Sequence, residues 1–282
     1  MENSLAKNCK KNNLKVVLLT LTVVIAILKI SILAIEKRNL YQPDKEIDLT
    51  PQSIGFTYED VYFKTEDGQR INGWFIPAKD AKITILYCPG RGGNLSDRLQ
   101  KIKFFHVSGF NSLAFDYRGF GNSSGKPSEQ GLYKDARAAY DFLMSRNDIA
   151  KDKIVVYGKS LGGPVAANLC LHRKLAALIL EGSFPSLKEY VGDLGGFLPT
   201  EWLVSEKFDA ISRVKMIKIP KLFVQGMDDE IIDFSEGRLL FNKAASPKEF
   251  VTFDGHHDDN LFTVSDAYKD KLNKFLFNNH IF

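Results

Sequence analysis

The stretch at residues 154–163 constrains the fold more than any other part of the chain. It reads Ile-Val-Val-Tyr-Gly-Lys-Ser-Leu-Gly-Gly, and an apolar helical pattern follows it. This is the G-x-S-x-G pattern of a nucleophile elbow, in which a sharp strand-to-helix turn presents one serine hydroxyl. Gly158 and Gly162 suit such a turn because side chains there would collide with the neighbouring strand and helix. The alternative is a glycine-rich strand-to-helix turn in a nonenzymatic α/β domain.

Strand and helix patterns alternate along the rest of the body, which predicts an α/β fold with a mainly parallel sheet and helices on both faces. Eight strands are predicted, at residues 56–64, 71–77, 83–88, 112–115, 154–157, 177–180, 222–224 and 250–253. Amphipathic patterns predict helices at residues 95–107, 129–144, 161–171, 235–244 and 259–277. The turn residues at 65–68 predict that the first two strands form an antiparallel hairpin.

The first 40 residues differ in character from the rest and are predicted to be a membrane anchor. A mostly apolar run at residues 16–35 is long enough to span a bilayer, although Lys29 interrupts it. Four lysines precede the run, which predicts a single-pass protein with a cytoplasmic N-terminus and an extracytoplasmic body. A cleaved signal peptide is the alternative.

The positive charge of the chain is concentrated in this N-terminal segment. The first 40 residues hold seven of the 38 basic residues and only two of the 34 acidic residues. The rest of the chain is therefore close to neutral, and its charge gives no reason to expect a nucleic-acid partner.

Two further segments stand out by composition and spacing. Residues 41–55 are polar and contain proline, and are predicted to link the anchor to a domain that fills residues 56–282. Residues 184–218 are longer than one crossover helix requires, and are predicted to form a short lid over the sheet edge where α/β folds bind ligands. Phe197 and Trp202 in this segment suit an apolar substrate or a membrane surface. A structural insertion that packs on its own sheet is the alternative.

No metal or cofactor is predicted. The three cysteines, Cys9, Cys88 and Cys170, are widely spaced and odd in number, which argues against a disulfide framework or a zinc site. The sequence also lacks a phosphate-binding P-loop and a dinucleotide-binding glycine pattern. Any chemistry at the serine would therefore use the side chains of this chain.

A serine hydroxyl needs a base, and the base needs an orienting carboxylate, before the serine can act as a nucleophile at neutral pH. In this architecture the acid and then the histidine follow the serine along the chain, at the ends of later strands. The loops after the last two predicted strands contain such residues, namely Asp228, Asp229, Glu230, His256 and His257. The spacing alone leaves open which carboxylate and which histidine face Ser160.

Backbone N–H groups beside the elbow are predicted to stabilise the negative charge that develops on a substrate oxygen. The N–H of Leu161, directly after the serine, is the first candidate. The second is the N–H of Arg91, in the glycine-rich loop at residues 87–94 that follows the third predicted strand. A loop of this kind can also bind phosphate, so the Arg91 side chain is a candidate for holding an anionic headgroup.

These motifs resemble those of the α/β-hydrolase superfamily, and most of all the Bem-type membrane-anchored serine hydrolases, which include monoacylglycerol and lysophospholipid lipases and protein depalmitoylases. The resemblance covers residues 56–277. Besides the elbow, it rests on the stretch Asp-Tyr-Arg-Gly-Phe-Gly-Asn-Ser-Ser-Gly at residues 116–125 and on Glu-Gly-Ser-Phe at residues 181–184. Proline at Pro89 and arginine at Arg91 depart from the family's oxyanion loop. These departures keep the backbone donor but reshape the acyl entrance.

The resemblance also implies roles for individual residues. The family's Gly-x-x-Asp-x-x-Ile acid loop aligns with Asp229, and its Gly-x-His-Asn-Asp motif aligns with His257 and not with His256. The implied activity is hydrolysis of carboxylic or thio-esters of lipid or acyl substrates, with Ser160 as nucleophile and no cofactor. Two alternatives remain, a serine peptidase of the same fold and a noncatalytic membrane-anchored interaction protein.

Overall fold

The computed structural model describes residues 2–189, 205–257 and 266–282 of the chain. Its centre is a sheet of eight strands, β1 (Glu59–Lys64), β2 (Arg70–Ile76), β3 (Thr84–Cys88), β4 (Asn111–Phe115), β5 (Ile154–Lys159), β6 (Ala177–Glu181), β7 (Lys221–Gly226) and β8 (Lys248–Phe253). The strands lie side by side in the order β1-β2-β4-β3-β5-β6-β7-β8.

Strand direction divides the sheet into an antiparallel edge and a parallel body. β2 pairs antiparallel with both β1 and β4, whereas β3 to β8 join through parallel pairs. All residues of β3, β4 and β6 are buried, as expected of strands that are covered on both faces. The predicted eight-stranded, mainly parallel sheet with an opening hairpin is therefore confirmed.

Helices cover both faces of the sheet, which confirms the second part of that prediction. The described helices are α1 (Glu2–Leu40), α2 (Leu99–Val107), α3 (Glu129–Ser145), α4 (Gly162–His172), α5 (Ala210–Val214), α6 (Phe234–Lys243) and α7 (Asp266–Asn278). One buried apolar cluster packs α3, α4, α5 and α6 against the sheet, and a second packs α2 and α7 against the sheet.

The helix predicted at residues 95–107 has a different start from the one expected. It begins with a 3-10 turn at Leu95–Arg98, and α2 follows directly. The side chain of Asn94 accepts a hydrogen bond from the Ser96 N–H, and the backbone N–H of Asn94 donates to the Asp97 carboxylate. This capping box fixes the turn and leaves Arg98 at its end.

The N-terminal helix α1 contains the apolar run predicted to be a membrane anchor. Its portion Leu18–Leu40 has a mean hydropathy of 2.6 and is not buried against the rest of the chain. By length and composition this helix could cross a membrane. Its last turns do contact the body, because the Glu36 carboxylate accepts hydrogen bonds from the backbone N–H groups of Ser205 and Glu206, at 2.9 and 3.0 Å.

The chain that leaves α1, predicted to be a linker, also contacts the body. Tyr41 is 2% exposed and packs edge-on against Phe208. The Gly93 N–H donates to the Gln42 carbonyl at 3.0 Å, and the Asp44 N–H donates to the Gly93 carbonyl at 3.2 Å. This short pairing places the end of α1 beside the loop that follows β3.

The predicted lid at residues 184–218 is only partly described. Its two ends pack into the core, where Phe184, Leu187 and Phe208 are buried, and α5 lies within the second end. Residues 190–204, which include Phe197 and Trp202, lie outside the described residues, as do residues 258–265 at the start of the helix predicted at 259–277. The lid therefore stays a prediction.

Candidate active site

Ser160 lies at the tip of a tight turn between β5 and α4. Its φ is +50°, a left-handed conformation that costs energy for any residue with a side chain. The Ser160 N–H donates to the Glu181 carbonyl at 2.9 Å, and the Gly163 N–H donates to the Ser160 carbonyl at 2.9 Å. A Cβ on Gly162 would lie 2.0 Å from the Cys88 carbonyl oxygen, so this turn admits only glycine there. The turn thus has the geometry of a nucleophile elbow.

His257 and Asp229 form a buried hydrogen-bonded pair. The Nδ1 of His257 lies 2.8 and 3.0 Å from the two carboxylate oxygens of Asp229, and both residues are less than one-tenth exposed. The Gln225 amide and the backbone N–H groups of Ile231 and Ile232 also donate to this carboxylate.

These donors determine the charge of the Asp229 carboxyl. Burial raises its pKa, but the hydrogen bonds from His257 and from the backbone N–H groups of Ile232 and Ile231 outweigh burial and bring the pKa below its ordinary value. Asp229 is therefore held ionised, as a group that orients an imidazole must be.

The other candidates from the same two loops lie at the surface. Asp228 and Glu230 are exposed, and the His256 Nδ1 lies 3.1 Å from a Glu230 carboxylate oxygen in an exposed pair. Of the candidates that the spacing left open, the structure brings together His257 and Asp229.

Ser160 and His257 line the same cavity, which has a volume of about 180 Å³. The remaining lining residues are Gln42, Gly90, Arg91, Arg98, Lys159 and Ile231. A Cβ on Gly90 would lie 3.4 Å from the Ser160 Cβ, so the loop after β3 passes directly beside the serine. This places Arg91, the predicted second oxyanion donor, at the cavity. Leu161, the first, follows Ser160 at the N-terminal end of α4, where backbone N–H groups lack helical partners.

Gly182 packs against the histidine–carboxylate pair, a contact that sequence analysis did not identify. Its φ is +48°, and a Cβ there would lie 3.1 Å from the His257 Cε1 and 3.3 Å from an Asp229 carboxylate oxygen. The signal in the sequence is its place in the Glu-Gly-Ser-Phe stretch at the end of β6. The structure explains why glycine is suited to this position: a side chain there would crowd the imidazole of His257.

Replacement of Gly182 by alanine is expected to lower both stability and activity. The left-handed backbone should cost about 1–2 kcal/mol of unfolding free energy, and displacement of the imidazole should lower kcat by about 10- to 100-fold. Gly68→Ala is the matched control, because Gly68 also has a positive φ but no atom lies within 4 Å of its added Cβ. Denaturant unfolding and kcat for a chromogenic ester would be measured on both variants. An equal fall in kcat for the two would contradict a specific role for Gly182.

A buried ion pair supports the end of β6, next to Gly182. The Lys101 Nζ lies 2.6 Å from a Glu181 carboxylate oxygen, and both side chains are less than one-tenth exposed. The Tyr157 hydroxyl donates to the same carboxylate. Burial raises the pKa of Glu181, but Lys101 and Lys159 together with these hydrogen bonds outweigh burial and lower it. Glu181 thus has two roles at the end of β6: its buried carboxylate pairs with Lys101, and its backbone carbonyl accepts the Ser160 N–H.

Among the described residues, no group of three or more His, Cys, Asp or Glu side chains is arranged to hold a metal ion. The candidate site consists of the serine, the histidine–carboxylate pair and the basic side chains around them.

Comparison with known proteins places the chain in a family. The profile described as serine aminopeptidase, S33, matches residues 79–208, which include the elbow and the loop after β3. The α/β hydrolase domain-containing protein WAV2 of Arabidopsis thaliana is 33% identical over 264 residues, covering 84% of this chain and 86% of that protein. Protein bem46 of Schizosaccharomyces pombe is 33% identical over 255 residues, covering 85% and 83%.

Solved structures show the same fold. The esterase Pf2001 of Pyrococcus furiosus superposes with a TM-score of 0.70 at 22% identity, covering 84% of this chain and 98% of that one. The chain therefore belongs to the α/β-hydrolase superfamily and, within it, to the Bem46-type group. The resemblance drawn from the sequence motifs is confirmed, and family membership supports hydrolase activity.

Proposed function

We propose that this protein is a serine hydrolase that cleaves carboxylic or thio-esters of lipid or acyl substrates. The observation that carries the proposal is the meeting of two features in one cavity: Ser160 on a strained turn, and His257 hydrogen-bonded to a buried, ionised Asp229. A serine, a base and an orienting carboxylate in this arrangement support acyl transfer.

The reaction would proceed through an acyl-enzyme. The Ser160 hydroxyl attacks the substrate carbonyl while His257 accepts its proton, and Asp229 fixes the orientation of the imidazole. The backbone N–H groups of Leu161 and Arg91 stabilise the oxyanion. His257 then donates the proton to the leaving alcohol or thiol. Water, activated by the same histidine, releases the carboxylic acid and regenerates the serine.

The charges at the cavity favour ester over aminopeptide substrates. An aminopeptidase, the activity in the family's description, needs a negative group to hold the substrate ammonium. Every charged side chain among the described residues that line the cavity, apart from the histidine, is basic: Arg91, Arg98 and Lys159. A substrate with a free ammonium group would be repelled by these residues.

The N-terminal helix supports a location at a membrane. The Leu18–Leu40 portion of α1 is apolar and long enough to anchor the protein. The lysines before the apolar run favour a single-pass topology with a cytoplasmic N-terminus and an extracytoplasmic body. An anchor of this kind would keep the site close to lipid or lipid-modified substrates.

Labelling with a fluorophosphonate tests the proposed nucleophile in the full-length protein in detergent micelles. The wild type is expected to be labelled, because these reagents react with activated serines, and Ser160→Ala is expected to lose the label. Ser212→Ala, which changes an exposed serine outside the cavity, should label like the wild type.

Labelling that survives in Ser160→Ala, or that is absent from a cooperatively folded wild type, would contradict the proposal. The second result would favour a noncatalytic interaction protein. A companion panel of acyl esters, acyl thioesters and aminoacyl amides separates the esterase from the peptidase. Turnover of the amides alone would support the peptidase.

A further inference from the structure

We propose that Arg91 and Arg98 form an anion-binding subsite inside the catalytic cavity, so that the preferred substrate is an ester with a phosphate or carboxylate close to its scissile carbonyl. The inference rests on the proposed function and specifies its substrate class. Neither residue takes part in the proton transfers, and Arg91 contributes to the oxyanion hole only through its backbone.

The two arginines reach the cavity from different elements. Arg91 belongs to the loop after β3, which passes beside Ser160, and Arg98 ends the 3-10 turn that follows this loop. Among the described residues no carboxylate lines the cavity with them. Guanidinium groups match the geometry of phosphate and carboxylate and bind them through paired hydrogen bonds. Two of them beside the nucleophile favour a substrate with negative charge.

Arg98 is held in place by the loop but keeps binding capacity. One of its terminal N–H groups donates to the Gly92 carbonyl, which fixes the side chain beside the oxyanion loop. Its Nε is buried and has no hydrogen-bond partner among the described residues. Asp116 is close enough to interact with this charge, but burial raises the pKa of Asp116 to about 7 although Arg98 lowers it. Asp116 is therefore an incomplete counter-charge at neutral pH.

Arg91 has an exposed side chain and no described ion-pair partner. Its Nη1 lies 3.4 Å from the Asn39 carbonyl at the end of α1, which is a neutral and long contact. A substrate anion would offer this guanidinium a stronger partner than a carbonyl does. Binding of the anion would also link the loop after β3 to the last turn of α1.

The position of α1 favours a lipid as the source of the anion. Gln42, which lines the cavity, is only two residues beyond the end of α1 at Leu40. A helix advances about 1.5 Å per residue. The helical residues between the end of the apolar run at residue 35 and the end of α1 are therefore about as long as a lipid headgroup layer is thick. The phosphate of a single-chain lipid would then reach the arginines while its acyl ester reaches Ser160. A soluble acyl ester with a carboxylate shares the same chemistry.

The test compares two lipids with the same acyl chain, 1-acylglycerol 3-phosphate and 1-acylglycerol, in mixed micelles with the full-length protein. The ratio of their kcat/KM values is expected to exceed about 10 in favour of the phosphate. Arg98→Gln should lower this ratio at least 10-fold, and Arg91→Gln should lower it in the same direction. Arg98→Lys keeps the charge but loses the paired donors, so it should lower the ratio less than Arg98→Gln does. Arg137→Gln is the matched control, because Arg137 pairs with Glu66 away from the cavity.

A second pair of substrates separates charge from lipid character. The p-nitrophenyl monoesters of succinic and butyric acid differ by one carboxylate and are soluble. A preference for the anionic member in both pairs would mean that charge alone is recognised. A preference in the lipid pair alone would assign the subsite to a headgroup. Added salt should reduce either preference because it screens the arginines.

The inference would be overturned if the wild type showed a ratio near one in both pairs, or if Arg98→Gln and Arg91→Gln left the ratio unchanged. Hydrolysis of the neutral esters with normal Ser160 labelling would in that case leave the proposed function standing. Binding without turnover gives an independent readout. Glycerol 3-phosphate should raise the Tm of Ser160→Ala, and addition of Arg98→Gln to that variant should remove the shift. Equal shifts with and without Arg98 would also overturn the subsite.

Discussion

Asp229→Asn is expected to lower kcat for ester hydrolysis by about 10⁴-fold while the protein stays folded. Asparagine has nearly the same shape as aspartate, but it carries no charge to stabilise an imidazolium and can favour the wrong tautomer of His257. The effect should be large because the carboxylate is buried, is held ionised by its hydrogen bonds and contacts the His257 Nδ1 at 2.8 Å. The measurement is kcat for p-nitrophenyl butyrate, with circular dichroism to verify folding.

The neighbouring carboxylate provides a control on the same loop. Asp228 is exposed, so Asp228→Asn is expected to keep kcat within about 2-fold of the wild type, since isolated surface charges have small effects. The histidines offer a parallel comparison, with His257→Ala inactive and His256→Ala active. A larger loss in Asp228→Asn than in Asp229→Asn would mean that the catalytic acid has been assigned to the wrong residue.

Glu181→Ala is expected to lower the free energy of unfolding by about 3–5 kcal/mol, because it removes one partner of a buried ion pair and leaves Lys101 buried without that carboxylate. The two charged atoms lie 2.6 Å apart, and the carboxylate also accepts the Tyr157 hydroxyl. Urea unfolding at neutral pH measures the loss. Lys101→Met combined with Glu181→Ala should lose much less than the sum of the two single variants, since neither charge is then left alone.

An exposed ion pair supplies the comparison for Glu181→Ala. Asp141→Asn breaks a pair with Arg173 whose atoms lie 2.8 Å apart but whose side chains are 31% and 54% exposed, so the expected loss is below about 1 kcal/mol. The difference between the two variants reflects burial of the ion pair together with loss of the Tyr157 hydrogen bond. Similar losses for Glu181→Ala and Asp141→Asn would show that the Lys101–Glu181 pair is accessible to water in solution.

The pH dependence of the Glu181 variant follows from the sign of the pKa shift. The pKa of Glu181 is lowered in the folded protein from an ordinary value of 4.5, so its ionised form stabilises the fold at any pH above that value. This stabilisation is lost as pH falls through the folded-state pKa. Burial also lowers the pKa of Lys101 to about 7, although Glu181 raises it. The deficit of Glu181→Ala should therefore vary with pH near neutrality, where Lys101 titrates, and should shrink in acid as Glu181 becomes protonated.

Much of the fold could be predicted from the sequence because the decisive patterns are local. Strand β3 is a continuous apolar run and strands β1 and β2 flank a clear turn signal, so their existence and type follow from periodicity. The elbow could be placed for the same reason. The lateral order of the strands could not be predicted from the sequence. The position of β4 between β2 and β3 depends on how the chain crosses over the sheet, and such crossings leave no local sequence pattern.

Other parts of the candidate site depend on tertiary contacts and were not predictable from spacing. His256 and His257 are adjacent, and only the path of the loop after β8 decides which one meets Asp229. Arg98 falls within a stretch predicted as regular helix, yet the 3-10 turn ends there and brings its side chain to the cavity. Gln42 belongs to a segment predicted to be a linker, and its contact with Gly93 joins residues about fifty positions apart in the chain.

The pairing of the chain at Gln42 with Gly93 has a practical consequence for the choice of a soluble form of this protein. A version that begins at residue 56 would lose the carbonyl that receives the Gly93 N–H and one wall of the cavity. It would also lose Glu36, whose carboxylate holds the backbone at Ser205 and Glu206. Helix α1, the proposed membrane anchor, and the loop that would hold an oxyanion are thus joined through direct contacts, and a cut between them would also remove part of the cavity.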